Sequence, residues 1–254
     1  MTTSKTALFD AHLHIIDPRF PLVANNGYLP PTFTTGDYLA SVRPLHVTGG
    51  AVVSGSFQAF DQSYLVAALN ELGPAFVGVT QLSRDASDDL ILDLDAAGVR
   101  AVRFNMYRGG SESVDAVEAM ARRIFDLARW HVELYADAAD LVDLVPMLTG
   151  LPKVVVDHLG MTQEGLPTLL KLVERGVRVK ATGFGRVSMD VASTLKAIAT
   201  ANPHALMFGT DLPSTRAPRP FAASDIDLLR GALGDEAGRL ALYDNAVDFY
   251  APGP

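Results

Sequence analysis

The chain has 254 residues, 48% of them hydrophobic and 20% charged, with a formal net charge of -8 and no cysteine. That composition belongs to a folded globular protein with ample material for a core; the lack of cysteine excludes disulfides, thiolate metal sites, iron–sulfur ligation by cysteine and a cysteine nucleophile. No basic face suits nucleic acid, no apolar run approaches the roughly 20 residues of a membrane span, and Met1–Thr6 lacks the apolar core of a secretory signal, so the expectation is a cytoplasmic protein that binds neither nucleic acid nor membrane.

In chain order, short apolar runs alternate with amphipathic stretches. Phe9–Asp17 is followed by a long loop, Pro18–Thr35, rich in proline and polar residues. Ala51–Phe57 precedes a predicted helix over Ser63–Leu72, with Leu65, Ala68, Leu69 and Leu72 on one face. Phe76–Leu82 leads to a helix over Asp88–Ala97 that Gly98 would end. Ala101–Tyr107 leads to Val114–Trp130, His131–Asp137 to Ala138–Leu148, Lys153–Gly160 to Gly165–Glu174, and Val177–Gly185 to Asp190–Ala201. Ala205–Pro213 runs into a second proline-rich loop, Pro213–Pro220, and then two helices, Ala223–Ala232 and Glu236–Tyr250.

Runs such as Val154-Val155-Val156 are nearly continuous in apolar residues, as strands buried on both faces of a parallel sheet are. About eight strand–helix units predict an α/β fold, a single (β/α)8 TIM barrel over residues 1–254. A doubly wound open sheet is the alternative, because sequence does not display strand order. In a barrel, the two proline-rich loops would lie on the active-site face.

Residues two apart on a strand share a face, so His12 and His14 project together, with Asp10 expected deeper on the same face and Leu13 and Ile15 toward the helices. The sixth strand ends at Asp157-His158 and the eighth at Thr210-Asp211. Each residue alone could be a core or capping group; together they place His12, His14, His158 and Asp211 at one mouth. Four cations are expected on that face: Arg103, Arg108, Lys180 and Arg186. Inside a barrel Arg103 needs an anion, either an internal carboxylate or a substrate carboxylate, and arginine's planar fork suits both. Tyr28 and Ser56 add neutral hydrogen-bonding groups. His46, His131 and His204 precede or open strands and read as surface or capping residues. No Gly-x-Gly-x-x-Gly after a strand, phosphate-binding loop or Gly-x-Ser-x-Gly elbow is present.

The motif set resembles the amidohydrolase superfamily, within it the amidohydrolase-2 branch and the lactonases like 2-pyrone-4,6-dicarboxylate hydrolase. The resemblance runs nearly end to end. It rests on Phe9-Asp10-Ala11-His12-Leu13-His14, Tyr28-Leu29-Pro30-Pro31, Gly98-Val99-Arg100-Ala101-Val102-Arg103-Phe104-Asn105, Val156-Asp157-His158-Leu159-Gly160 and Phe208-Gly209-Thr210-Asp211-Leu212-Pro213. Tyr135 stands where metal-dependent members carry a histidine ligand, as in relatives that work without metal. Where the family continues Trp-Pro-His, this chain has Leu212-Pro213-Ser214, with Arg216 and Arg219 as candidate replacement anion binders.

The resemblance implies a hydrolase that opens a lactone ring. Asp211 would be the general base on water, His12, His14 and His158 would polarise the carbonyl, and Arg103, Arg108, Arg186, Tyr28 and Ser56 would hold the substrate. Candidate substrates are 2-pyrone-4,6-dicarboxylate-like lactones, muconolactones and sugar-acid lactones. No metal is favoured. The alternative uses one Zn or Mn ion on His12, His14, His158 and Asp211, as in decarboxylases of aromatic or muconate acids. A lactone isomerase and a non-catalytic binding barrel are the other readings.

Overall fold

The computed structural model describes residues 7–251; Met1–Thr6, read above for a signal, lies outside the described residues. In it the apolar runs become strands and the amphipathic stretches become helices, in the order β1 (Leu8–Leu13), α1 (Thr35–Val42), β2 (Val47–Val53), α2 (Ser63–Leu72), β3 (Phe76–Thr80), α3 (Asp88–Ala96), β4 (Val99–Asn105), α4 (Val117–Ala128), β5 (His131–Tyr135), α5 (Val145–Leu148), β6 (Val154–Val156), α6 (Leu166–Glu174), β7 (Arg178–Ala181), α7 (Val191–Ala201), β8 (Leu206–Phe208), α8 (Ser224–Arg239) and α9 (Asn245–Tyr250). The eight strands lie in sequence order, and every adjacent pair is parallel. Two backbone bonds close the ring between β1 and the chain beyond β8: Asp211 N–H to the His12 carbonyl (2.7 Å) and His14 N–H to the Leu212 carbonyl (2.8 Å). The fold is a (β/α)8 barrel.

Side-chain alternation along the strands produces two apolar layers. Leu13, Val52, Val102, Leu134, Val156, Val179 and Phe208 face outward and pack on the helices. Phe9, Ala11, Ala51, Val53, Val79, Ala101, Val155 and Met207 fill the interior, where Phe249 and Tyr250 of α9 join them near the starts of the strands. Burying each large apolar side chain contributes roughly 1.5–3 kcal/mol. The lower part of the barrel is therefore a mainly apolar plug, crossed by the His131–Glu133–Tyr250 hydrogen bonds, and most polar side chains collect above it.

Most elements match the sequence reading, with boundary shifts. β2 starts at Val47 rather than Ala51, leaving Ser54–Phe57 beyond its end. The segment expected as one helix over Ala138–Leu148 is a 3-10 turn followed by the short α5. Gly234, at φ +74, breaks Ser224–Arg239 where the two C-terminal helices were expected to part. Helix α1 was not expected. Only Tyr38 and Val42 of its eight residues are buried, too few to make an apolar stripe. Its start is instead set by a reciprocal cap, Asp37 N–H to Thr34 Oγ1 and Thr34 N–H to Asp37 Oδ2.

One expectation about β1 is corrected. Asp10 does not share the face of His12 and His14. The pairing register against β2 shifts between Asp10 and Leu13, which changes the alternation at Ala11. Asp10 turns toward α1, where its carboxylate accepts from Tyr38 Oη (3.0 Å), Thr210 Oγ1 (2.7 Å) and Thr210 N–H (2.8 Å). Burial pushes this carboxyl up from 3.8 to about 6, against the lowering effect of those donors. A carboxyl with a raised folded-state pKa holds its proton more tightly in the native state. The stability this lends is present below the unfolded value and is lost as pH rises through about 6. Urea unfolding is therefore expected to show wild type losing up to about 3 kcal/mol relative to Asp10→Asn between about pH 4 and about pH 7. A pH-independent difference would contradict a charge-burial penalty at this position.

Candidate active site

The C-terminal ends of the strands converge on a polar cleft. Its wall comprises His14 from the chain after β1, Ser56 and Phe57 after β2, Arg103 and Asn105 of β4, Arg108, Tyr135 of β5, His158 after β6, Arg186 after β7, and Thr215 and Arg216 after β8. His158 and Asp211 both sit at left-handed φ, +49 and +57, a conformation that costs a non-glycine residue about 1–2 kcal/mol. Gly183 is required beside them. Its φ is +63, and a Cβ there would lie 2.9 Å from both Arg186 Nε and His158 Nδ1. Gly209 similarly leaves room for His12, whose backbone nitrogen a Cβ would approach to 2.5 Å.

The imidazoles and the carboxylate do meet. His12 Nε2 is 3.7 Å and His14 Nε2 3.6 Å from Asp211 Oδ1, and the His12 and His158 rings are 4.8 Å apart. His14 Nδ1 faces the Val53 carbonyl at 2.7 Å; a carbonyl only accepts, so Nδ1 carries the hydrogen and Nε2 of the neutral ring offers a lone pair. His158 Nδ1 is 2.7 Å from Thr182 Oγ1. Burial pushes His158 down to about 3, so it is neutral near pH 7. Burial and then the Lys180 charge hold His12 well below its ordinary value. Burial would raise Asp211, but the Arg186 guanidinium overrides it and holds the carboxyl far below the usual range. Arg186 reaches Asp211 Oδ2 through Nε at 2.9 Å and through a second nitrogen. Oδ1 of Asp211 and Nε2 of His12 are buried and have no hydrogen-bond partner.

Beneath this layer, buried charges are matched one to one. Arg103 binds Asp157 Oδ2 through Nε and a terminal nitrogen, both at 2.9 Å, and donates to the Ser54 carbonyl at 3.0 Å. Lys180 Nζ lies 2.6 Å from Glu133 Oε2, and Glu133 Oε1 accepts from Tyr250 Oη at 2.7 Å. Burial opposes ionisation of Glu133, yet Lys180 brings it down to about 2.

Of the residues singled out from the sequence, His14, His158, Ser56, Arg103, Arg108 and Arg186 line the cleft. His12 and Asp211 are directly behind its floor, 0% and 1% exposed. Tyr28 does not line it; its ring lies under the Arg216 guanidinium at 4.3 Å. Lys180 is fully buried below the cleft rather than on its face. His131 is not a surface residue: it is buried at the base of β5, 3.0 Å from Glu133 Oε1 and packed on Phe249 and Tyr250. Arg219 is used internally by Asp225 (2.8 and 3.1 Å), whereas Arg216 reaches the cleft. Among the described residues, no carboxylate lies within ion-pair range of Arg108 or Arg216. Sequence reasoning did not single out Asn105, although it ends the β4 motif, nor Phe57, Thr182 and Thr215, which matter by position alone.

The amidohydrolase family model matches residues 9–251. The chain belongs to the amidohydrolase family. It is 35% identical over 156 residues to a 2-pyrone-4,6-dicarboxylate hydrolase of Comamonas testosteroni, a match covering 59% of this chain and 51% of that one. The chain thus matches about half the length of that curated relative. Among solved structures, this amidohydrolase superimposes on a candidate 2-pyrone-4,6-dicarboxylic acid hydrolase from Pseudomonas putida with a TM-score of 0.80 and 27% identity, over 96% of this chain and 97% of that one. A protein from Agrobacterium tumefaciens gives a TM-score of 0.83 at 25% identity, over 97% and 96% of the two chains. No described helix is long and apolar enough to cross a membrane.

Many amidohydrolases hold a divalent metal, and ligand atoms of His12, His158 and Asp211 do lie within 4.8 Å of one another. The unpartnered His12 Nε2 and Asp211 Oδ1 match such a site in spacing. The charges do not match. Asp211, Asp157 and Glu133 are each neutralised by a buried cation, Arg186, Arg103 and Lys180, so a dication would enter with no free negative charge to meet it. A second grouping, His12, Glu133 and Asp157, already surrounds the Lys180 ammonium.

The two kinds of arginine are separable by stability. Arg103→Met leaves Asp157 buried without its partner and is expected to cost about 3–5 kcal/mol, whereas Arg108→Ala should stay within about 0.5 kcal/mol of wild type. Chemical denaturation of both variants checks this; equal losses would refute the division.

Proposed function

We propose that this amidohydrolase opens the ring of a lactone bearing carboxylate groups, as the 2-pyrone-4,6-dicarboxylate hydrolase it resembles does by name. The observation that carries the reading is the meeting, at one cleft, of two guanidiniums with no carboxylate partner among the described residues, Arg108 and Arg216, and the imidazole–carboxylate cluster of His12, His14, His158 and Asp211. Partial burial and the neighbouring Arg108 charge lower the pKa of Arg216, so an anion between these arginines would relieve their repulsion. Planar guanidiniums bind carboxylates in bidentate fashion.

In the proposed reaction, Asp211 Oδ1 and the His14 Nε2 lone pair, 3.6 Å apart, accept both hydrogens of one water and turn its oxygen toward the carbonyl carbon. The carbonyl carbon gains the water oxygen and Asp211 takes the proton. His12 and His158 face the developing oxyanion, and a donor so placed is worth about 3 kcal/mol. Collapse breaks the bond to the ring oxygen, which receives the proton back from Asp211. Arg186 serves two anions in turn. While it grips Asp211 it keeps that carboxylate ionised but weakly basic; a substrate carboxylate that draws Arg186 toward itself restores basicity and uncovers Asp211. Ser56 and Asn105 offer hydrogen bonds to the rest of the ring.

A turnover screen of pyrone dicarboxylates, muconolactones and sugar-acid lactones, with and without chelator, tests the reading. Ring opening of a carboxylated lactone, unaffected by chelation, is the expected result. Loss of activity on chelation would instead favour the metal-dependent reading, for which the unpartnered His12 and Asp211 atoms are the available ligands. Asp211→Asn is expected to lower kcat about a thousandfold while sparing product binding. Arg108→Ala and Arg216→Ala should each raise KM tenfold or more with a smaller change in kcat, as steady-state kinetics would show.

A further inference from the structure

Lys180 is a charged side chain buried in the barrel with no exposed surface, and the reaction above gives it no task. Its ammonium lies 2.6 Å from Glu133 Oε2, 3.9 Å from Asp157 Oδ1 and 3.4 Å from His12 Nδ1. Asp157 Oδ1, the other group near that ring nitrogen at 3.6 Å, has no hydrogen-bond partner. An ammonium has hydrogens and no lone pair, so it can only donate to His12. A hydrogen bond from the ammonium makes Nδ1 the lone-pair nitrogen and leaves the ring hydrogen of neutral His12 on Nε2. The far side of the ring favours the same tautomer, because Nε2 faces the carboxylate oxygen Asp211 Oδ1, which only accepts. A metal on His12 Nε2 needs the opposite arrangement: a lone pair on Nε2 and an N–H on Nδ1, where the ammonium at 3.4 Å is nearer than Asp157 Oδ1 at 3.6 Å. Metal-bound histidines almost always hold their second ring N–H against a carboxylate, carbonyl or water rather than a cation.

We propose that Lys180 is a positioning residue that fixes His12 as an Nε2–H donor aimed at the reaction centre and thereby keeps the His12–His158–Asp211 cluster from taking up a divalent metal. Glu133 anchors the ammonium from below, with Tyr250 and His131 holding the Glu133 carboxylate in turn. The inference builds on the metal-free lactonase reading, but it concerns a tautomer and a metal affinity, which are measurable with no substrate at all.

The test pairs wild type with Lys180→Met/Glu133→Gln, which removes the buried ion pair as a unit, so that neither charge is left alone. Histidine 15N NMR is expected to show neutral His12 protonated on Nε2 in wild type and on Nδ1, toward Asp157 Oδ1, in the double variant. Calorimetric titration with Zn2+ is expected to show at least tenfold tighter binding by the double variant, and adding Asp211→Asn should remove that gain. Should the double variant not fold, Lys180→Arg, which keeps a donor cation, is expected to retain the Nε2–H tautomer and weak Zn2+ binding. Wild type with His12 protonated on Nδ1, tight Zn2+ binding by wild type or Lys180→Arg, or a folded double variant unchanged in both measurements would overturn the proposal. Absence of lactone turnover alongside the expected tautomer and Zn2+ results would sink the functional reading and leave the role of Lys180 standing.

Discussion

The hydrogen bonds that close the barrel also assemble its site. Asp211 donates its backbone N–H to the His12 carbonyl, and His14 donates to the Leu212 carbonyl. The two ends of the sheet, about two hundred residues apart in sequence, are thus locked in one register, and that register brings the His12 and His14 rings to the Asp211 carboxylate. Asp10 reinforces the same seam from outside by accepting from both the backbone and the hydroxyl of Thr210. A slip of this closure would remove the carboxylate from the imidazoles, so folding and site formation share one constraint.

Above the apolar plug the barrel interior is a low-dielectric space crowded with charge, and it is stable because each anion has its own cation. Removing one partner of such a pair is far more disruptive than the pair is stabilising, since the survivor remains buried and unpaired. The pairing also has functional consequences. Arg103 and Lys180 are committed to the interior, Arg186 is shared between Asp211 and the cleft, and Arg108 and Arg216 have no internal carboxylate to serve. The cleft therefore has an excess of positive charge within a chain whose net charge is -8. Such local focusing attracts anionic ligands despite the overall sign.

Much of this was legible in the residues. Apolar runs and the helices between them announced the parallel barrel, because a strand buried on both faces has to be apolar throughout. His12, His14, His158 and Asp211 could be placed at one mouth because each follows such a run. The errors have local causes. Strict alternation assigned Asp10 to the wrong face because a register shift leaves no trace in residue type. Helix α1 escaped notice because a cap and two buried side chains, not an apolar stripe, hold it. His131 was read as a surface residue because its strand position is peripheral, whereas α9 folds over the barrel floor and buries it.

From its residues alone the chain determined the architecture and the identity of the groups at the strand ends, since both depend on local pattern and on a topology that repeats. Tertiary structure decided how those groups are partnered. Arg216 and Arg219 stand three residues apart in one loop, yet Asp225 satisfies only Arg219. Lys180 and Arg186 come from neighbouring stretches, yet one contacts the back of His12 and the other covers Asp211. Charge pairing, tautomer and burial depend on distances of a few ångströms between segments far apart in sequence. Those distances exist only once the ring has closed.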